Sequence, residues 1–379
     1  MRRLKILHCL ESIGSGGVEQ RRLSLARYLG RDQFCQALAC AKVKGDFDKR
    51  LEAQGMAVYR IGVMGHPFNF RYYKKLFATI REFRPDIIHG AVFEGVISAV
   101  VGGLFFNVPI IVIEETSEPA NRSWRGNWLL KILAGFADAA VATSPAVARY
   151  LTDTIHIRKR KVKLILNGAE PPVDPGEVVK QRLRQELGIQ STDFVIGFVG
   201  RLLDDHKLVS VLIQSFARVV TDYPTAPFKL LVVGDGPDRK MLEAVAANAG
   251  VSERVVFAGY QADPAPFYTV MNVFALLSAR EGFGMAAVEA MFFGLPVIGS
   301  AVGGIKDIVV DGVTGFLVPP SDVQAASAAI GKVFQDTGAR SKMGTEGYAR
   351  AMNLFTSKRY AANVAALYMD LSRALHHAG

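Results

Sequence analysis

Two glutamates stand eight residues apart around a glycine-bracketed turn, in the sequence Glu281-Gly-Phe-Gly-Met-Ala-Ala-Val-Glu289. The apolar run from Met285 to Phe293 predicts a buried helix of about two turns, with Glu281 on the loop before it and Glu289 about one turn inside it. Free N–H groups at a helix start favour phosphate, and a carboxylate accepts hydrogen bonds from two neighbouring hydroxyls. This chemistry suits a nucleotide sugar, although a helix-favouring Glu281 and a solvated Glu289 explain the same residues.

A second group of candidate residues is basic. The sequence Gly200-Arg-Leu-Leu-Asp-Asp-His-Lys207 follows an apolar, strand-like run, Phe194 to Val199. Arg201 and Lys207 would converge beside a helix start, where they could neutralise a diphosphate, with Arg201 able to bind it through two parallel hydrogen bonds. Solvated surface cations are the simpler alternative for these two residues taken alone.

The elements that must position these residues follow a regular pattern. Short apolar runs rich in β-branched residues alternate with segments of helical period from residue 4 to residue 166, and again from residue 194 onwards. This alternation is typical of α/β domains with parallel sheets. Asn167-Gly168 and a proline-rich stretch separate the two sets. We therefore predict two Rossmann-like, doubly wound parallel-sheet domains facing across a cleft, with a first domain at 1–170, a linker at 171–190 and a second domain at 191–355.

A glycine-rich segment, Gly14-Ser-Gly-Gly-Val-Glu19, follows the first predicted strand. Gly16 and Gly17 would let backbone N–H groups approach a phosphate or a sugar closely. The pattern departs from the dinucleotide fingerprint at its last position, and no acidic residue follows the second strand to bind a ribose. No His, Cys or carboxylate cluster has the spacing of metal ligands. We therefore expect neither a nicotinamide or other cofactor nor a metal.

The formal charge of +10 is unevenly distributed along the chain. Residues 1–170 contain 26 Lys and Arg against 15 Asp and Glu, whereas residues 171–379 contain 19 against 20. An anionic membrane surface, an anionic acceptor or simple solvation could account for a basic first domain. The basic residues form no recognisable nucleic-acid-binding module, so we expect no nucleic-acid partner. The segments 71–75 and 122–128 combine basic and aromatic residues, and the segment 158–161 is entirely basic; together they favour peripheral contact with an anionic membrane.

The cysteines and the apolar runs predict the location of the protein. Cys9, Cys35 and Cys40 lie in strand-like runs without zinc or redox spacing, as in a reduced, cytosolic protein. The uncharged run 95–113 is divided by glycines, an asparagine and a proline, which predicts a helix, a turn and a strand instead of a membrane span. We expect a cytoplasmic protein that can work at the inner face of the membrane.

With these elements in order, the sequence resembles the family-4 retaining glycosyltransferases of the GT-B fold over nearly its whole length. The resemblance rests on six motifs in the right order: Gly16-Gly17-Val18-Glu19, Asn167-Gly168, Gly200-Arg201 with Lys207, Gly234-Asp-Gly-Pro237, Glu281-x7-Glu289 and Gly303-Gly304. It implies that the second domain binds the nucleotide-sugar donor and the first domain binds the acceptor. It also implies that the last helix, within 356–379, returns to the first domain.

The resemblance implies a role for each matching residue. Arg201 and Lys207 would bind and stabilise the departing diphosphate, and Glu289 would hold the ribose hydroxyls. Glu281 would hold hydroxyls of the donor sugar, which makes the two glutamates hydroxyl-binding residues instead of an acid and a base. The backbone of three residues would line the sugar and the phosphate: Gly282, Phe283 and Gly284.

Three positions depart from the family pattern. Many members carry a histidine after the strand that corresponds to 110–113, where this chain has Glu114-Glu115, and Glu115 could replace that contact. Only His89 remains of a frequent His-x-His pair, and a lone histidine at a strand end is as easily structural as substrate-binding. Leu208 follows Lys207 where the family usually has glycine.

The leading prediction is a retaining transferase that moves a hexose or an N-acetylhexosamine from a nucleoside diphosphate sugar, with uridine expected, to a hydroxyl. The acceptor would be a glycan, including a lipid-linked one, in cell-surface polysaccharide synthesis. The enzyme alternatives are a nucleotide-sugar epimerase and an inverting GT-B transferase. The non-enzyme alternative is a sugar-nucleotide-binding scaffold subunit.

Overall fold

The computed structural model of the chain describes residues 2–13, 17–43, 46–66, 69–116 and 122–378. The chain divides into two compact units, the first formed by Met1–Glu170 with Phe355–Gly379 and the second by Pro171–Leu354. Each unit is built on a parallel sheet with helices on both faces. The segment 171–190, predicted as a linker, belongs to the second unit and contains a helix.

The first unit has a seven-stranded parallel sheet in the described residues, in the order β3-β2-β1-β4-β5-β6-β7. Its strands are β1 (Leu4–Ile13), β2 (Phe34–Val43), β3 (Ala57–Arg60), β4 (Ile87–Ala91), β5 (Ile110–Glu115), β6 (Ala139–Ala142) and β7 (Val162–Leu164). Its helices are α1 (Gly17–Tyr28), α2 (Phe47–Ala53), α3 (Phe70–Phe83), α4 (Val92–Phe105), α5 (Trp124–Phe136) and α6 (Pro145–Arg149). A π-helical turn, Tyr150–Thr154, and a 3-10 turn, Lys159–Lys161, follow α6.

The second unit has a six-stranded sheet in the order β10-β9-β8-β11-β12-β13. Its strands are β8 (Phe194–Val199), β9 (Phe228–Val233), β10 (Val255–Gly259), β11 (Val273–Leu276), β12 (Val297–Ser300) and β13 (Gly315–Val318). Its helices are α7 (Glu177–Glu186), α8 (Asp204–Lys207), α9 (Val209–Asp222), α10 (Arg239–Asn248), α11 (Ala265–Tyr268), α12 (Met285–Phe292), α13 (Ile305–Ile308), α14 (Val323–Gln335) and α15 (Thr337–Leu354).

The last helix, α16 (Ser357–Ala378), packs on the first unit. Its buried side chains Tyr360, Val364 and Tyr368 join a core cluster with residues of β1, β4 and β5. Backbone pairing fixes its start, because Ser357 N donates to Ala169 O at 2.8 Å. The closing helix therefore completes the core of the unit in which the chain begins.

The uncharged run 95–113 forms most of α4, a turn and the first four residues of β5, as the sequence predicts. All six residues of β5 are buried, and its first four, Ile110–Ile113, form a continuous apolar run. Within the described parts of the chain, we find no helix with both the length and the apolar composition needed to cross a membrane.

Candidate functional site

The order of the second sheet creates a topological switch point between β8 and β11. These strands are neighbours, since Val273 pairs with Ile196, yet the chain leaves them toward opposite edges of the sheet. The loops after the two strands diverge at such a point and leave room for a ligand at the carboxyl ends. After β8, Arg201 lies in a loop and Lys207 is the last residue of the short helix α8, and the loop after β11 carries Glu281.

The loops at this edge of the sheet are held together through their backbones. Ala279 N donates to His206 O at 2.9 Å, and Gly304 N donates to Glu281 O at 3.1 Å. A Cβ atom on Gly303 would lie 1.8 Å from Glu281 O, so only glycine fits there. The paired glycines of the sequence motif thus let one loop pack directly on another.

Lys207 and Glu281 form an ion pair across the switch point. Lys207 Nζ lies 2.5 Å from Glu281 Oε2, and the two side chains are 23% and 16% exposed. The sequence predicts both residues as site residues but does not predict that they contact each other. Their pairing brings a cation and a carboxylate to one partly solvated point, which suits a ligand with an anionic end and a hydroxyl-bearing end.

Arg201 supplies a second cation on the segment that follows β8, six residues before Lys207. Its side chain is exposed, and among the described residues its guanidinium has no hydrogen-bond or ion-pair partner. Arg201 therefore remains available for an anionic ligand.

Asp204, which the sequence analysis did not single out, stabilises the short helix α8, of which it is the first residue and Lys207 the last. Its Oδ1 accepts a hydrogen bond from Ser210 N at 2.8 Å, and its Oδ2 accepts one from Ser210 Oγ at 2.6 Å. Its backbone N donates to Asp238 Oδ2 at 2.7 Å. Leu208 next to Lys207 adopts the left-handed conformation, with φ of 48°, which glycine adopts without the steric cost that a side chain adds.

Helix α12 begins where the sequence predicts. Gly284 precedes it with φ of 102°, in the region that glycine adopts without steric cost, and Met285 is the first helical residue. Gly282 is half-buried and Phe283 is 4% exposed. The glycine-bracketed turn thus connects the loop after β11 to the helix that carries Glu289.

Glu289 lies inside α12 and binds Tyr268, a residue that the sequence analysis missed. Tyr268 Oη donates to Glu289 Oε2 at 2.9 Å, and its ring stacks on Phe293 with centroids 5.4 Å apart. Burial raises the pKa of Glu289, the bond from Tyr268 lowers it, and the nearby Asp263 carboxylate raises it. The tyrosine therefore orients one carboxylate oxygen and stabilises its charge in a poorly solvated position.

The described first-unit residues that were predicted to bind substrate lie in different surroundings. Gly16 lies outside the described residues, and Gly17 is the first residue of α1. His89 is fully buried between the sheet and α16, where its Nδ1 lies 2.6 Å from Tyr368 Oη. Burial lowers its pKa, and the neutral ring contacts Glu114 through Nε2 at 3.3 Å. This environment is that of a structural histidine.

Glu114, beside His89, is the centre of a buried charged cluster. Arg21 and Arg22 of α1 approach its carboxylate oxygens at 3.1 and 2.7 Å. Although burial raises the pKa of Glu114, Arg22 and Arg21 together hold it well below the usual range. The cluster links α1, β5 and the tyrosines of α16, and it serves the packing of the unit.

Glu115 points to the opposite face of the sheet, since consecutive strand residues alternate. Its Oε2 accepts a hydrogen bond from Arg122 at 2.7 Å, and the side chain is largely buried. The Arg122 guanidinium also lies 5.2 Å from the centre of the Phe93 ring. Glu115 is thus already neutralised by its own neighbour, and we leave both it and His89 out of the proposed site.

Comparisons with known proteins show the family to which the chain belongs. Two α/β units with parallel sheets of seven and six strands define the GT-B class of folds. The family model for glycosyl transferases group 1 matches residues 179–350, and the model for glycosyltransferase family 4 matches residues 15–171. The chain therefore belongs to the family-4 glycosyltransferases of the GT-B fold.

Individual relatives agree with this assignment. The crystal structure of HepE from Anabaena with UDP and glucose has a TM-score of 0.83 and 25% identity, covering 97% of this chain and all of that one. D-inositol 3-phosphate glycosyltransferase of Corynebacterium urealyticum is 33% identical over 55% of this chain and 51% of that protein. CapM of Staphylococcus aureus, a capsular polysaccharide biosynthesis glycosyltransferase, is 38% identical over 44% of this chain and 43% of that protein. The chain thus matches about half the length of these curated relatives.

Proposed function

We propose that the chain is a retaining glycosyltransferase that moves a hexose or an N-acetylhexosamine from a nucleoside diphosphate sugar to a hydroxyl of a glycan. The observation that carries the proposal is the Lys207–Glu281 pair, which lies with Arg201 at the switch point of the second sheet. In this proposal the second unit binds the donor, and the first unit binds the acceptor.

Each residue of the site has a role that its surroundings support. Arg201 and Lys207 bind the diphosphate and stabilise the negative charge that grows on it as it departs. Glu281 accepts hydrogen bonds from hydroxyls of the donor sugar, and the turn Gly282–Gly284 lines the sugar and the phosphate through its backbone. Glu289, oriented by Tyr268, accepts the hydrogen bonds of the ribose hydroxyls.

The proposed reaction keeps the anomeric configuration. The bond between the anomeric carbon and the leaving phosphate oxygen breaks, while a bond from that carbon to the acceptor oxygen forms on the same face. The acceptor proton passes to an oxygen of the departing phosphate, so no side chain needs to act as a base. Cations that are already in place favour this transition state over the ground state because the charge on the diphosphate increases during transfer.

The relatives support a donor and an acceptor class. HepE was solved with UDP and glucose, which favours a uridine nucleotide and a hexose here. CapM is named for capsular polysaccharide biosynthesis, which favours a glycan acceptor in cell-surface polysaccharide synthesis, including a lipid-linked one. We also propose that the protein works at the cytoplasmic face of the membrane, a location that the cysteine pattern and the basic first unit favour.

A donor screen tests the proposal most directly. A donor that binds the folded chain raises its melting temperature, so nucleotide sugars are first ranked by thermal stabilisation and by slow hydrolysis. The selected donor is then incubated with glycan acceptors, and NMR of the product gives its anomeric configuration. Retention supports the proposal, inversion favours an inverting transferase, an isomerised donor favours an epimerase, and binding without turnover favours a scaffold subunit.

A further inference from the structure

Helix α5 of the first unit carries large apolar side chains on its outward side. They recur every four residues and are between 37% and 73% exposed: Trp124, Trp128, Ile132 and Phe136. The opposite side of the helix packs on the unit through Leu130, Leu133 and Ala134. We call the four exposed residues the α5 face. Scattered exposed hydrophobic residues are common, but four in register along one helix form a contiguous patch that marks an interaction site.

Basic side chains accompany the α5 face. Arg125 and Lys131 are exposed on the same helix. Lys161 Nζ donates to the carbonyls of Gly135 at 2.9 Å and Ala137 at 2.6 Å, which brings the basic turn 159–161 to the end of α5. Residues 122–164 contain nine lysines and arginines against two aspartates. The partner of this surface must therefore tolerate both aromatic rings and a dense positive charge.

We propose that the α5 face docks on an anionic lipid bilayer, with the tryptophan rings at the level of the headgroups and the basic side chains on the lipid phosphates. Tryptophan favours the membrane interface because its ring is apolar and its N–H is polar. Basic residues beside an apolar helix face add attraction to anionic lipids. A second copy of the chain is a poor partner, since two equally basic faces would repel each other.

The proposal complements the proposed function, since a lipid-linked acceptor would be presented at such a surface, but it depends on different residues. The site at the second sheet involves Lys207, Glu281 and Glu289, none of which belongs to the first unit. Membrane binding can thus be measured without a donor or an acceptor. Failure of vesicle binding and failure of sugar transfer are separate results.

The two tryptophans of the chain both belong to the α5 face, so intrinsic tryptophan fluorescence reports on this surface alone. The full chain is mixed with vesicles of phosphatidylcholine, with and without phosphatidylglycerol. We expect a blue shift and binding with the anionic vesicles, quenching by brominated lipids, and weakening of both as salt is added. An unchanged spectrum, or no quenching by brominated lipid, would overturn the proposal.

Variants separate the contribution of the tryptophan rings to vesicle binding from that of the basic side chains. Trp128→Ser should weaken vesicle partitioning about tenfold, since a large aromatic ring no longer leaves water, and Trp124 remains as the reporter. Lys131→Glu changes the charge of this surface by two units. Each unit is worth about 1 kcal/mol at an anionic surface, or about fivefold in vesicle partitioning, so partitioning should fall about 25-fold. Tyr348→Ala removes an exposed aromatic ring of the second unit and is the matched control, with no expected effect.

Two further outcomes decide against the proposal. Equal partitioning of the Trp124→Ser/Trp128→Ser variant and the unchanged chain, with both folded by circular dichroism, would mean that another surface binds lipid. A blue shift that depends on protein concentration in the absence of vesicles would identify a second copy of the chain as the partner. If anionic vesicles protect the tryptophans from a water-soluble quencher at low protein concentration, the result supports docking on lipid.

Discussion

Replacing Glu281 by Gln should strengthen the binding of a free nucleoside diphosphate. In the structure, the Glu281 carboxylate lies 2.5 Å from Lys207 Nζ, the cation that we assign to the diphosphate. A phosphate oxygen that binds the same ammonium group comes within roughly 4–6 Å of the carboxylate, and two like charges repel at that separation. Glu281 therefore competes with the product diphosphate for Lys207.

The magnitude follows from the partial exposure of the pair. Two unit charges about 4 Å apart interact with about 1 kcal/mol in water and about 4 kcal/mol near a protein surface. Since both side chains are partly exposed, at 23% and 16%, we take about 1–2 kcal/mol. The Glu281→Gln variant should bind UDP about 5- to 30-fold more tightly. A UDP-sugar should gain less, because its hydroxyls lose a charged acceptor.

Titration calorimetry with UDP and with the preferred UDP-sugar measures both affinities at one salt concentration. Glu289→Gln is the control, since Glu289 binds Tyr268 instead of Lys207, and its UDP affinity should fall. Product inhibition by UDP should also become stronger in Glu281→Gln. Unchanged or weaker UDP binding by this variant would refute the idea that Glu281 and the diphosphate share one cation.

Three other predictions concern the same unit. Lys207→Ala should lower turnover about a hundredfold by removing a charge on the leaving group, and near-normal turnover with a verified donor would contradict that role. Glu289→Gln should raise the melting temperature at pH 7, because burial raises the pKa of Glu289 and its ionisation therefore opposes folding. The gain should vanish below the unfolded carboxyl pKa of about 4.3, where the side chain is protonated in both states; a gain that persists at acid pH would point to packing. Leu208→Gly should retain folding and turnover. Leu208→Val should lower the free energy of unfolding by about 1–2 kcal/mol in urea titrations, since a β-branched residue fits the left-handed conformation poorly. Equal stability of the two variants would disprove this backbone argument.

The central strands could be predicted from the sequence because burial on both faces makes them largely apolar runs, as in the first four residues of β5, Ile110–Ile113. β3 and β13 are harder to recognise in the sequence, and both lie at the edges of their sheets. Edge strands are short and partly solvated, so their composition is less distinctive; in β3, Ala57 and Arg60 are exposed. The helical spacing of α3 is visible only at its buried residues Tyr72, Leu76 and Phe83.

The candidate site could be predicted as a set of residues but not as a set of contacts. Arg201, Lys207 and Glu281 follow predicted strands, and that position alone directs attention to them. The contact between Lys207 and Glu281 depends on the order of strands in the sheet, which the sequence does not reveal. Tyr268 resembles any core aromatic in sequence, and only its hydrogen bond to Glu289 distinguishes it.

The helix that closes the first unit has a consequence for synthesis on the ribosome. Its tyrosines cover the buried Arg22–Glu114 pair, and His89 contacts Tyr368 directly. The residues of the second unit, 171–354, are translated between the first sheet and this helix, which takes roughly 10–40 s at about 5–20 residues per second. During that interval α16 has not yet been made, so one face of the first sheet and its charged cluster lack the helix that covers them in the native fold. The second unit can complete its fold earlier than the unit that left the ribosome first, so a chaperone that shields the early sheet should raise the yield of native protein.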